Sequence, residues 1–300
     1  MIPKRYLLKL ENREMQLGDR PLLVGVLNVT PDSFSDGGKY QDPDHAFAHA
    51  FELEEAGADI IDIGAESTRP GAPRISEAEE LRRLVPVLKR LRNKLSVPVM
   101  VDTYKAGVAE KAIEHGAEFI NDPSGLTLDP DLARVVAQRD VALIINHMRG
   151  TPDSWAKLPP MQDPMGGVLF DLSASVSRAM KAGVDRKRIF VDPGLGFGKR
   201  KEQNFTLIAD LERMIELDVP IMVGPSRKSF LGVFDPKIPD FATAAAVAGC
   251  VLNGAHMIRV HDVAAMRTVV EISNAILHSA TEIVRPEVVM PRNRDRRPDR

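Results

Sequence analysis

Short apolar runs rich in β-branched residues recur along the chain, each followed by a stretch with helical patterning. They predict strands at 23–28, 59–64, 98–102, 118–121, 142–146, 189–192, 221–224 and 256–260. Most show no strict alternation, the pattern of parallel strands covered on both faces. Their starts are about 33 residues apart, one strand plus one helix per unit. Gly57-Ala58-Asp59-Ile60-Ile61, Gly116-Ala117-Glu118-Phe119-Ile120 and Gly254-Ala255-His256-Met257-Ile258 repeat one motif. Each glycine falls where a helix should end in a left-handed cap before the next strand. Val97-Pro98-Val99-Met100-Val101 and Val219-Pro220-Ile221-Met222-Val223 form a second echo, with proline at a strand's first position, where no ladder donor is lost.

Eight such units in roughly 250 residues predict an α/β fold, a (β/α)8 TIM barrel. A doubly wound open sheet would show fewer units and a glycine-rich first turn. Neither G-x-G-x-x-G after the first strand nor a Walker A motif is present. Three regions follow: residues 1–20 as a short N-terminal β-hairpin plugging the barrel bottom around a turn at Leu17-Gly18-Asp19, the barrel over 21–282, and a disordered tail over 283–300. Residues 285–300 hold six Arg, three acids and three Pro, so the tail is expected to stay solvated.

Composition narrows the function. A net charge of −2 and a pI near 6.4 argue against a dedicated binder of nucleic acid or membrane surfaces. Cys250 is the only cysteine, so no internal disulfide can form, and no Cys/His spacing reads as a zinc site. The first residues lack the unbroken apolar core of a secretory signal, and no run reaches the ~18 apolar residues of a membrane span. A soluble cytoplasmic protein is the expectation.

In a TIM barrel the chemistry sits at the carboxyl ends of the strands. Those ends read Asn28, Glu66-Ser67-Thr68-Arg69, Asp102, Asn121, His147, Asp192, Ser226-Arg227-Lys228, and Arg259 with His261. Singly, each is more often a turn or capping residue. Asp102 could cap a helix starting near Tyr104, and Asp192-Pro193 could open a turn. As a set they converge on one mouth. Asp102, Asn121, Asp192 and Lys228 make a mixed donor and acceptor cluster; a carboxylate accepts two parallel N–H bonds, which suits a flat heterocycle such as a pterin. Thr68-Arg69, Arg259, His261 and the amides near Asn28 suit an anion. The loops 28–38 and 67–73 are candidates for a lid, and Gly194-Leu195-Gly196-Phe197-Gly198-Lys199 offers close backbone approach and an exposed ring.

On these residues the chain resembles the dihydropteroate synthases of the pterin-binding enzyme family. The likeness is carried, in order, by Val26-Leu27-Asn28-Val29-Thr30-Pro31-Asp32-Ser33-Phe34-Ser35-Asp36-Gly37-Gly38, Glu66-Ser67-Thr68-Arg69-Pro70-Gly71, Val101-Asp102-Thr103-Tyr104-Lys105, Ile120-Asn121-Asp122 and His147-Met148-Arg149-Gly150-Thr151-Pro152. It continues through Asp192-Pro193-Gly194-Leu195-Gly196-Phe197-Gly198-Lys199, Ser226-Arg227-Lys228-Ser229-Phe230 and Arg259-Val260-His261-Asp262-Val263, about residues 20–280 in all. Pro123, Asn146 and Pro225 differ from the residues commoner at those places.

The resemblance implies a transferase of folate synthesis, joining 4-aminobenzoate to the dihydropterin hydroxymethyl diphosphate with release of diphosphate. It implies that Asp102, Asn121, Asp192 and Lys228 hold the pterin and that Thr68, Arg259 and His261 hold the diphosphate. Asn28 would ligate Mg²⁺, and Arg69, Phe34, Pro70, Phe197 and Ser229 would line the 4-aminobenzoate pocket. Lys228, Arg259 and His261 become the catalytic set, and a homodimer is implied. Breaking the C–O bond places negative charge on the diphosphate and positive charge on the pterin methylene. Cations stabilise the first and the arylamine attacks the second, so no protein nucleophile is required. Two rivals are a pterin-binding paralogue without turnover and a methyltetrahydrofolate–corrinoid methyltransferase.

Overall fold

The structure, a computed structural model, describes residues 2–30, 43–67 and 72–282. The predicted tail lies outside them. Strands β1 (Tyr6–Lys9) and β2 (Glu14–Leu17) form an antiparallel hairpin with Tyr6 opposite Leu17. Its turn is 10–13, closed by the Leu10 N–H on the Arg13 carbonyl at 2.9 Å. Leu17-Gly18-Asp19, predicted as that turn, instead follows the second strand and leads into the barrel. Gly18 sits at φ +101°, where a Cβ would lie 2.6 Å from the Lys4 carbonyl, so the glycine marks a close crossing.

The barrel strands are β3 (Leu22–Asn28), β4 (Ile60–Gly64), β5 (Val99–Asp102), β6 (Phe119–Asp122), β7 (Ala142–Asn146), β8 (Ile189–Asp192), β9 (Met222–Val223) and β10 (Met257–Val260). All pair in parallel in the order β8-β7-β6-β5-β4-β3-β10-β9. A parallel bridge between Val191 and Ile221 joins β8 to the chain entering β9 and completes the circle. Between the strands run α1 (Pro43–Glu55), α2 (Glu77–Leu91), α3 (Ala106–Glu114), α4 (Leu132–Ala137), α5 (Pro164–Lys181), α6 (Lys201–Ala209) and α7 (Phe241–Leu252), with α8 (Val263–Glu282) last. The repeated Gly57, Gly116 and Gly254 all take φ between +94° and +99°, as the cap motif requires. Strand β9 is shorter than predicted because Pro220 and Pro225 flank it and neither can donate to a ladder. Among the described residues no helix is long and apolar enough to cross a membrane.

Two apolar cores explain why the strands show no alternation. Outward residues such as Ile61, Val101, Ile120, Leu143, Val191 and Ile258 pack under the helices. Inward residues Leu22, Val24, Ile60, Met100, Phe119, Ile144, Phe190, Met222 and Met257 fill the lower barrel, and Leu8, Leu10 and Leu17 of the hairpin close it from below. Each strand repeats its facing every second residue. Two positions beyond this apolar filling, Val26 of β3 stays apolar while the other inward residues become Asp62, Asp102, Asn121, Asn146, Asp192, Gly224 and Arg259. The barrel interior is therefore an oily floor beneath a charged layer.

Candidate functional site

Arg259 organises that charged layer. From β10 its Nε donates to Asp62 Oδ2 at 2.5 Å and its Nη2 to Asp102 Oδ2 at 3.0 Å. Asp62 is wholly buried and its Oδ1 has no partner among the described residues. Burial alone would lower the Arg259 pKa, but Asp62 and Asp102 outweigh it and keep the guanidinium charged. Burial pushes Asp102 up to about 7, against the pull of Arg259, and Asp62 adds to the rise. Asp102 does not cap the following helix. That helix begins at Ala106, whose N–H donates to Asp129 Oδ2 at 2.8 Å.

Asn121 is the β6 neighbour of Asp102 in the sheet register. It is buried, and its Oδ1 has no partner among the described residues. An unmet acceptor beside carboxylates is what a bound donor edge would satisfy. The turn after Asn121 is tightly held: Asp122 accepts the Ser124 N–H at 2.7 Å and the Leu126 N–H at 2.6 Å. The unusual Pro123 and Asn146 meet there, Asn146 Nδ2 donating to the Pro123 carbonyl at 2.9 Å. These two departures thus brace the turn that carries Asn121.

Asp192 lies opposite Asn146 in the register. Its Oδ1 accepts the Gly194 N–H at 2.7 Å, the turn-opening role its Pro193 neighbour suggested. Burial raises Asp192 to about 6. Lys228 follows a turn in which Arg227 takes φ +55° and donates its N–H to Thr243 Oγ1 at 3.1 Å. Pro225, the third departure, opens this turn, its carbonyl accepting the Lys228 N–H at 3.4 Å. Burial and the nearby Arg259 lower Lys228 to about 8, and its ammonium stands 4.2 Å from the Phe197 ring centre. Phe197 is half-buried rather than exposed, with Trp155 packed against it edge-on at 5.4 Å between ring centres.

At the rim, His261 Nδ1 lies 2.9 Å from Ser226 Oγ. Asp262 accepts the Ala265 N–H at 3.0 Å and so caps α8. Arg259, two residues earlier, reaches inward to Asp62 and Asp102. Ser229 is exposed at the mouth, one residue beyond Lys228. Phe34, Thr68, Arg69 and Pro70 lie outside the described residues. Asn28 ends β3 with its Oδ1 3.5 Å from where a Cβ on Gly64 would stand, on the Asp102 side. Among the described residues no three His, Cys, Asp or Glu side chains converge on a metal position. A lone amide oxygen fits only a hard cation that keeps waters and takes its other ligands from substrate phosphate, the habit of Mg²⁺.

Asp62 is a site residue that reading strand ends overlooks, since it lies inside its strand. A charged residue two positions before the end of an apolar run was the available signal. Glu66, which the strand ends include without a role, grips Lys105 together with Glu80 and accepts the Tyr104 hydroxyl at 3.2 Å, which fixes the root of the β4–α2 loop.

Fold and mouth together define a TIM-barrel enzyme that works on a small polar molecule. The family model of the pterin binding enzymes matches residues 24–261. Dihydropteroate synthase of Bacillus subtilis is 43% identical over 263 residues, covering 87% of this chain and 90% of its own. That of Synechocystis is 41% identical over 263 residues, covering 86% and 91%. Among solved structures, Xanthomonas albilineans dihydropteroate synthase with 4-aminobenzoic acid superposes with a TM-score of 0.83 at 39% identity, over 91% of this chain and 98% of that one. The Yersinia pestis enzyme in a sulfonamide complex gives 0.85 at 37% identity, over 90% and 98%. The chain belongs to the pterin-binding enzymes and, within them, to the dihydropteroate synthases, transferases of folate biosynthesis.

Proposed function

We propose that this barrel condenses 4-aminobenzoate with 6-hydroxymethyl-7,8-dihydropterin diphosphate, giving dihydropteroate and diphosphate, with the pterin edge held by Asp102, Asn121 and Asp192. The observation that carries the residue assignment is the buried Asn121 Oδ1, without a partner among the described residues and beside Asp102 in the register. Carboxylates accept the N–H groups of an amino-pyrimidine, and an amide can both donate and accept. Lys228, over the Phe197 ring and within the field of Asp192, supplies a donor to the pterin and a positive charge near the leaving group. Arg259 retains Nη1 for ligand while Asp62 and Asp102 fix its other nitrogens.

His261, Thr68 and Arg259 are assigned to the diphosphate, and Arg69, Phe34, Pro70, Phe197 and Ser229 to the 4-aminobenzoate pocket. Mg²⁺, when bound, neutralises charge on the departing diphosphate, and Asn28 is the residue that would hold it. The arylamine nitrogen attacks the methylene carbon as the C–O bond to diphosphate breaks, and the nitrogen then sheds its proton. Positioned cations facing the leaving oxygens lower this barrier without a protein nucleophile. The family likeness also supports a homodimer, and the lack of a membrane-length helix among the described residues is consistent with a place in the cytoplasm.

Mass detection of dihydropteroate from the two substrates, with and without Mg²⁺, tests this reading. Pterin diphosphate that binds but releases no diphosphate once 4-aminobenzoate is added would identify a paralogue without turnover. Methyl transfer from methyltetrahydrofolate to a corrinoid would overturn the reading altogether.

A further inference from the structure

Lys199 is a half-buried cation for which the proposed chemistry has no use. Its ammonium donates to three backbone carbonyls: Gly194 at 2.7 Å, His147 at 3.1 Å and Phe197 at 3.2 Å. An ammonium has three N–H bonds, so its donors are fully spent. No carboxylate lies within ion-pair distance of it among the described residues. Burial drives its pKa well below the usual lysine range, against the pull of the more distant Asp192 and Asp171. A desolvated charge with no carboxylate in contact is costly, and what it gains here is geometry.

The three carbonyls come from two different strand ends, His147 after β7 and the loop after β8. They converge on one point, where their negative ends would repel without a cation among them. The loop presses so close to β7 that a Cβ on Gly194 would stand 1.9 Å from the His147 carbonyl, and one on Gly198 2.3 Å from that of Arg149. Phe197 lies on this loop, and its ring is the surface over which the Lys228 ammonium rests.

We propose that Lys199 is a positioning residue: by tying both strand ends to one ammonium it sets the Phe197 ring beneath Lys228 and so shapes the 4-aminobenzoate half of the site. The proposal rests on the functional reading above, in which Phe197 lines that pocket. A misplacement of about 1 Å near reacting groups can cost up to about 10²-fold. Lys199→Met keeps the stem and removes the donors.

Kinetics with both substrates, together with fluorescence of Trp155, test it. Trp155 is the sole tryptophan and packs edge-on against Phe197. Lys199→Met is expected to raise KM for 4-aminobenzoate on the order of tenfold and to increase acrylamide quenching of Trp155, with kcat and KM for the pterin diphosphate within about threefold of wild type. Phe197→Leu should reproduce the rise in KM, and the double variant should add little to it. Lys199→Gln, with two amide donors, should fall between, and covers the case in which the methionine variant does not fold. A lysine that only stabilised the fold would lower the urea midpoint and leave KM and native Trp155 quenching unmoved. That result, or single-variant effects on KM that multiply in the double variant, overturns the proposal. Wild-type protein that makes no dihydropteroate would instead refute the functional reading, while Trp155 quenching would still decide whether Lys199 sets the loop.

Discussion

Replacing Asp62 separates the two carboxylates that share Arg259. In the native barrel Asp62 is fully buried, and the Arg259 side chain retains only 18% exposure. At about 4 Å between charge centres and an effective dielectric near 20, one such pair is worth about 4 kcal/mol before desolvation is counted. Breaking a buried pair from one side typically costs 3–5 kcal/mol, roughly, because the remaining charge is stranded. Here Asp102 still holds Nη2 at 3.0 Å, so the stranding is partial. Asp62→Ala is therefore expected to lose about 2–3 kcal/mol of unfolding free energy, and Asp62→Asn, which keeps an acceptor for Nε, about 1–2. Arg259→Met should cost less in the Asp62→Ala background than in wild type, since it strands both Asp62 and Asp102 in wild type and only Asp102 once Asp62 is gone. Urea unfolding at pH 7.5 measures this, with the slope unchanged and only the midpoint shifted. Freed from Asp62, Arg259 can also turn wholly onto Asp102, so pterin affinity should fall about tenfold, or 1.4 kcal/mol. Stability of Asp62→Ala within about 0.5 kcal/mol of wild type, or an equal cost of Arg259→Met in both backgrounds, would show that Asp62 does not anchor Arg259.

The pH profile of pterin binding should be bell-shaped. Asp102 and Asp192, raised to about 7 and about 6, must lose protons to accept the ring N–H groups, so affinity climbs as pH rises through that range. Lys228, lowered to about 8, loses its charge above it. Calorimetry between pH 5 and 9 that shows no slope on either limb would refute the assignment. For folding the same two carboxyls act in the other direction: the folded state keeps protons that the unfolded chain has released, so their contribution to stability falls as pH rises from about 4 to 7. Asp102→Ala should weaken pterin binding by about 2–4 kcal/mol, and unchanged affinity would remove it from the clamp. Asn28→Ala should abolish the response of turnover to added Mg²⁺ or to chelation, and a wild-type response would place the metal elsewhere. Leu17→Ala, in the sealed floor at 1% exposure, should cost about 2–4 kcal/mol with little change in KM. A matching loss of substrate affinity would show that the floor and the mouth are coupled.

The eight strands were legible because a parallel strand buried on both faces is a continuous apolar run, and the runs end at or near where the ladders end. The same continuity hid the facing of each residue. Nothing in Asp59-Ile60-Ile61-Asp62-Ile63-Gly64 says which of its positions point inward until neighbouring strands set the phase, so Asp62 escaped while Asp102 and Asp192, at run ends, did not. Gly18 was legible as a point of reversal but not as a crossing, since a glycine shows that Cβ is excluded without showing by what. Lys199 was visible only as part of a loop. Its role depends on the carbonyl of His147, some fifty residues away, and backbone acceptors carry no residue-type signature. The pairing of Asn146 with Pro123 was hidden for the same reason.

The hairpin under the barrel bears on how the chain reaches this state. Lys4 contacts Asp218 by its ammonium and His256 by its carbonyl, across separations of 214 and 252 residues. Loop closure over such distances is slow, and the apolar filling stays wet until it happens. During synthesis, Leu8, Leu10 and Leu17 must wait for nearly all the remaining strands to appear. Their segment, among the earliest made, is among the last to dock, and a chaperone that shelters it through that interval should raise the yield of folded protein more than one acting on α8.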